Sequence, residues 1–186
     1  MAPLQITSLK DLDQAVQSVR TGAERTVRAL RDLITHERDS LQVLRLMKFS
    51  DSARAPGEDR CLNLIEQVNQ TLTNLLRLQA ARWALLQHAE LLQQGLRIHL
   101  GSHTGFDLES VGSGVLAAEV FAANHPRQHD RLRKDVARLG LAPGVLHRYV
   151  FFSCPGYAPG RRIELETVPG IELWSLASDH ALKSAA

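Results

Sequence analysis

Through the first half of this chain the apolar positions recur three or four residues apart, a spacing that admits long amphipathic helices and little else. Leu12, Val16, Val19, Ala23, Thr26, Leu30 and Leu33 alternate steps of four and three, drawing a narrow coiled-coil-like stripe on one helix face. Ser8 with Asp11 supplies an N-cap and an acidic first turn. Gly22 weakens the interior by about 1 kcal/mol relative to alanine. No proline interrupts the pattern before Pro56, so the spacing predicts one helix from near Ser8 to about Phe49. Residues 50–59 are small, polar and helix-breaking, and read as a connection. A second periodic run, Leu62, Ile65, Val68, Leu72, Leu75, Leu76, Ala80, Trp83, Leu86 and Leu91, ends between Gly95 and Gly101. The pair predicts a long antiparallel helical hairpin.

Helices of roughly 35 residues run about 50 Å, longer than the rest of the chain can cover. Two readings follow. Either residues 8–98 form a homodimer or dock a helical protein partner, because an exposed apolar seam is otherwise a solubility problem, or the helices form a monomeric layer on the second half. No internal repeat or low-complexity tract is visible.

Composition narrows the class. With 186 residues, 44% of them apolar and 23% charged, the chain can build a core. Twenty-two basic against 20 acidic residues exclude the uniformly basic profile of a nucleic-acid coat protein, so any basic surface is local. Cys61 and Cys154 are far apart, which excludes a disulfide scaffold and a CxxC site and points to a reducing, cytoplasmic setting. The start Met1-Ala2-Pro3-Leu4-Gln5 lacks the pattern of a secretory signal, and no apolar run approaches the ~18 residues of a membrane span. A soluble protein without membrane contact is expected.

From Gly101 the period changes. Phe106 and Leu108 alternate with Asp107 and Glu109, and after Gly112-Ser113-Gly114 comes the apolar run Val115 to Phe121, predicting a β-hairpin. Arg127 to Leu139 has helical spacing and ends at Gly140 and Pro143. His147 to Ser153 and Gly170 to Leu176 are β-branched and aromatic runs that predict two strands of one sheet. Arg161 to Thr167 between them reads equally as an edge strand or a helical turn. The order predicts an α+β fold with an α/β-like C-terminal half and a mixed sheet, divided into residues 1–98 and 99–186.

Glu119 lies inside an otherwise apolar strand, where an ionised carboxylate is costly without compensation. Pairing Val111 with Val115 sets Asp107 opposite Glu119, and facing carboxylates are destabilising unless a cation lies between them. A divalent metal would serve, as would a basic side chain. A helix, a strand with Asp107, a turn, a strand with Glu119, a basic helix and a further strand resemble the PD-(D/E)xK, or restriction-endonuclease-like, nuclease superfamily. The resemblance spans about Gly101 to Leu176. It implies Mg²⁺ or Mn²⁺ held by Asp107, Glu119 and the Val120 carbonyl, and cleavage of DNA or RNA. Glu119-Val120-Phe121 matches the (D/E)xK tripeptide except that Phe121 replaces the lysine, which phenylalanine cannot imitate. Lys134, on the following helix, is the candidate replacement, completing a catalytic set of Asp107, Glu119 and Lys134. A degenerate, binding-only relative is the neighbouring expectation.

Arg127, Arg131, Arg133, Lys134 and Arg138 outnumber Asp130 and Asp135 on that helix, a patch able to meet nucleic-acid phosphates or to stand as a solvated helix face. The bland alternative pairs Asp107 and Glu119 with Arg131, Arg133 or Lys134. His125 and His129 have the i, i+4 spacing of a metal pair, weakened by Pro126, while His99 and His103 flank the hairpin. Nucleotide-cradling and GxSxG motifs are absent. Cys154 has no identifiable base and reads as a core residue, and Trp83 and Trp174 as packing. The competing function class is a non-enzymatic module in which the helical hairpin associates with itself or a partner and the sheet supports it.

Overall fold

A computed structural model of the chain describes residues 3–51, 61–101, 104–112, 114–125, 130–142 and 144–177. The elements in order are β1 (Leu4–Ile6), α1 (Leu9–His36), α2 (Ser40–Phe49), α3 (Leu64–Gln87), α4 (Glu90–Gln94), β2 (Leu96–Ile98), β3 (Leu108–Ser110), β4 (Leu116–Ala122), α5 (Arg131–Gly140), β5 (His147–Ser153), β6 (Gly160–Arg161), a 3₁₀ turn (Ile163–Leu165) and β7 (Ile171–Ser175). The mixed α+β architecture expected from the sequence is present. One seven-stranded sheet runs β1-β2-β3-β4-β5-β7-β6. Strands β1 to β4 pair antiparallel, β4, β5 and β7 run parallel, and β6 returns antiparallel on the edge. Parallel β4 and β5 require a crossover, and α5 supplies it.

The caps explain where the helices lie. Ser8 Oγ accepts the Asp11 N–H at the start of α1, and Asn63 with Glu66 closes a reciprocal capping box on α3. The single helix expected to Phe49 is instead two. It breaks at Glu37 to Asp39, where the Glu37 carboxylate accepts the Asp39 N–H and Asp39 Oδ1 accepts the Leu41 N–H, replacing helical bonds with a new N-cap. The second run likewise stops at His88 and is followed by the short α4 and by β2 rather than continuing to Gly95. The segment after Gly160 divides into β6 and a 3₁₀ turn, so both readings of it are realised.

α1 and α3 cover one face of the sheet in a core with Leu12, Leu78, Leu91, Leu96, Ile98, Leu108, Leu116 and Phe151, all fully buried. α5 covers the other face through Val136 and Leu139, packed on Phe121, Val150, Phe152 and Leu173. β2, on the N-terminal side of the expected 98/99 division, pairs with β3 on the other side of it. The hairpin turn fits closely against the chain entering β5. Gly114, at φ +66°, would place a Cβ 2.3 Å from the Gly144 carbonyl oxygen, so this position has room for glycine only.

Candidate functional site: an arginine-clamped carboxylate pair

The β3–β4 register is Leu108 to Ala118 and Glu109 to Ala117; continued one step, it sets Glu119 opposite Asp107, which the sequence reading puts in the strand but which lies in the bend just before β3. Ser110 Oγ fixes this register by accepting the Val115 and Leu116 N–H groups across the turn. Both carboxylates are buried, Asp107 at 1% and Glu119 at 0% exposure.

Arginines from the two covering helices meet them. Arg77 of α3 places a guanidinium nitrogen 2.5 Å from Asp107 Oδ1, while also bonding Asn74 Oδ1 and the Gly101 carbonyl. Asp107 Oδ2 accepts the Val120 N–H at 2.7 Å. Val120, expected to offer its carbonyl to a metal, therefore meets Asp107 through its amide. Arg138 of α5 pairs with Glu119 Oε2, while Oε1 is buried with no hydrogen-bond partner among the described residues. A third pair, Arg131 to Asp135 at 2.9 Å, lies beside them on α5. Burial first and the Asp107 charge second push the Glu119 carboxyl up to about 8, against the opposing pull of Arg138. Burial also raises Asp135 above the usual aspartate range despite Arg131.

Three of the four carboxylate oxygens thus already accept a bond from Arg77, Val120 or Arg138. A Mg²⁺ or Mn²⁺ ion shared by Asp107 and Glu119 would have to displace an arginine, and the open Glu119 Oε1 alone does not supply the near-octahedral oxygen shell such ions require. The donor set as arranged fits guanidinium better than a hard dication. Phe121 belongs to the α5-side core, 4% exposed, its ring 5.9 Å from that of Phe152. Lys134 is exposed on α5, and the cation brought to Glu119 is Arg138. Arg131 and Arg138 are about half exposed and Arg133 pairs at the surface with Asp130, so these and Lys134 form a basic solvent-facing edge. Arg127 lies outside the described residues, as do His103 and His129 of the expected histidine group. His99 stands 3.5 Å from Glu109 and His125 is exposed.

Arg77 escaped the sequence reading, although a charge inside the run Leu75-Leu76-Arg77-Leu78 is the kind of signal that marks a buried partner. His88, Glu90 and His147, brought together on the α3 face, also escaped it because His147 is distant in sequence from the other two. Cys154 is buried and burial pushes its thiol up, consistent with a packing role. Trp83 packs against Tyr149, Phe151 and Trp174 at ring distances of 5.1, 5.1 and 4.7 Å. Comparison of the chain with protein-family models, with curated proteins and with solved structures finds no match.

Proposed function

We propose that this chain is a nucleic-acid-binding protein built on a restriction-endonuclease-like core that binds without cleaving. The observation that carries this reading is the pair Asp107 and Glu119. In the resemblance they take the place of the metal-binding acids, yet Arg77 and Arg138 pair with them and Phe121 stands at the lysine position. Affinity for phosphates then comes from the α5 edge of Arg131, Arg133, Lys134 and Arg138, extended in sequence by Arg127, and falls steeply with salt.

A mobility-shift and cleavage assay on plasmid, single-stranded DNA and RNA, run in EDTA and again with Mg²⁺ or Mn²⁺, tests it. Expected is retardation in EDTA that weakens with salt, without cleavage in either metal. Arg133→Ala with Lys134→Ala should reduce the slope of log affinity against log salt by roughly 0.7–0.9 for each phosphate that the variant no longer neutralises. Metal-dependent cleavage abolished by Asp107→Asn would replace this reading with an active nuclease using Asp107, Glu119 and Lys134. No binding to any substrate at low salt would remove both.

A second reading rests on a separate observation. Val27, Ile34, Leu41, Leu44, Phe49, Val68 and Leu72 are exposed apolar side chains on α1, α2 and α3, between 43% and 77% open. Such a surface favours self-association, or docking of a helical partner, through residues 8–98.

A further inference from the structure

On the sheet face opposite Arg138 and Glu119, where α3 ends, two histidines and a glutamate converge. His88 is the C-cap of α3, its N–H on the Ala84 carbonyl at 2.9 Å. Glu90 follows at the start of α4, and His147 opens β5 with its N–H on the Val115 carbonyl at 2.9 Å. One ligand atom from each of the three residues lies within 4.8 Å of the others. We infer that His88 Nδ1, a Glu90 carboxylate oxygen and a His147 ring nitrogen form a site for a borderline divalent metal of the Zn²⁺ class.

The chemistry of the donors sets the class. Two imidazoles and one carboxylate suit Zn²⁺, Co²⁺ or Ni²⁺, whereas Mg²⁺ and Ca²⁺ prefer oxygen alone. Three protein ligands leave a fourth tetrahedral position for water. Bonds of roughly 2.0–2.1 Å to a tetrahedral ion place ligand atoms about 3.3 Å apart. His88 Nδ1 and Glu90 Oε1, at 3.7 Å, are too far for a hydrogen bond and near that edge length. The other ligand-atom separations lie within 4.8 Å, and the Glu90 side chain, 46% exposed, has room to adjust.

The surroundings hold His88 in the form a metal needs. Its Nε2 is 2.9 Å from the Tyr149 hydroxyl. With Tyr149 accepting the Nε2–H, the Nδ1 lone pair faces Glu90, the outer hydrogen bond that metal-bound histidines usually make. Glu172 adds a negative charge nearby but is not a ligand, because Arg161 and the Trp174 indole N–H occupy its two oxygens. His88 and His147 rings lie 4.2 Å apart, so the two imidazoles already share the site.

Titration of the full chain with Zn²⁺ at pH 7 by calorimetry tests the assignment. One equivalent should bind with micromolar or tighter affinity, and Co²⁺ in its place should give the intense visible absorption of a four-coordinate site. His147→Ala and Glu90→Gln, both at partly exposed positions that leave the core intact, should each weaken Zn²⁺ binding at least tenfold. His36→Ala, far along α1, should leave it unchanged. Absence of Zn²⁺ binding overturns the assignment. So does wild-type affinity in both site variants, or an equal loss in His36→Ala.

Discussion

The two faces of the sheet handle buried charge differently. On the α3 face a long, well-covered core admits Arg77, itself 7% exposed at its side chain, and ties it to Asp107, Asn74 and a backbone carbonyl. On the α5 face a ten-residue helix covers the strands, and its arginines reach carboxylates from a half-exposed edge. A buried carboxylate is tolerated either when both its oxygens are paired or when burial leads it to take up a proton. Asp107 illustrates the first case. Glu119, with one bonded oxygen, one unbonded and a pKa near 8, illustrates the second.

The largest expected effect therefore falls on Arg77. Arg77→Ala leaves Asp107 sealed without its cation and should cost on the order of 3–5 kcal/mol in chemical denaturation. Arg138→Ala should behave otherwise. At pH 5–6 folded Glu119 is neutral and needs no counter-charge, so the loss should stay below about 1 kcal/mol, solvent screening of a 44% exposed arginine included. At pH 9 the loss should rise to about 1–3 kcal/mol. Equal, pH-independent costs for the two arginines would erase the contrast between the faces.

Glu119→Gln sharpens the same contrast from the acid side. An unfolded glutamate releases its proton near 4.5 and folded Glu119 near 8, so across that window the folded state holds more protons. The wild type's Glu119 contribution is complete below pH 4.5 and is lost as pH rises through 8. Glutamine removes the titration and can still accept from Arg138. The variant should match the wild type at pH 5 and melt several degrees higher at pH 9, each kcal/mol of the lost contribution being worth about 2–4 °C for a chain of this size. A variant no more stable than the wild type at pH 9 would show that folding does not raise the Glu119 pKa.

Much of this arrangement is legible in the sequence, and the gaps have physical causes. The β3–β4 register of Leu108 to Ala118 agrees with the Val111–Val115 pairing expected from the sequence, because a short glycine turn leaves one register that keeps Leu108, Leu116 and Ala118 in the core. His147 to Ser153 was readable as β5 because an aromatic, β-branched run has few other uses. β1 and β2 are not readable, since the alternation of Leu4-Gln5-Ile6 and Leu96-Arg97-Ile98 spans only three residues each and their pairing is decided by the sheet they join. The break before α2 left a trace in Asp39-Ser40, a cap pair that the continuing apolar period masked. Which cation meets each carboxylate was hidden for a different reason. Arg77 arrives from a helix distant in sequence, and on α5 the choice among Arg131, Lys134 and Arg138 depends on how the helix is rotated over the strands.

The smallest effect on stability is expected where the helices leave the sheet. α1 is buried at Leu12, Val16, Val19 and Thr26, and the Thr26 hydroxyl bonds Gln67 of α3 at 2.7 Å. Beyond that bond Val27 and Ile34 are open, as are Leu41, Leu44 and Phe49 of α2. Leu41→Asp with Phe49→Asp removes little buried area and should change folding stability by no more than about 0.5 kcal/mol per site. If this apolar end mediates self-association, the same pair should convert a dimer to a monomer in light scattering at unchanged helical content. A wild type that is monomeric at every accessible concentration leaves a heterologous helical partner as the reading of this surface. Loss of the fold in the variant would instead mean that α2 packs more tightly against α1 and α3 than its exposure allows, because a side chain already facing water cannot destabilise a core it does not enter.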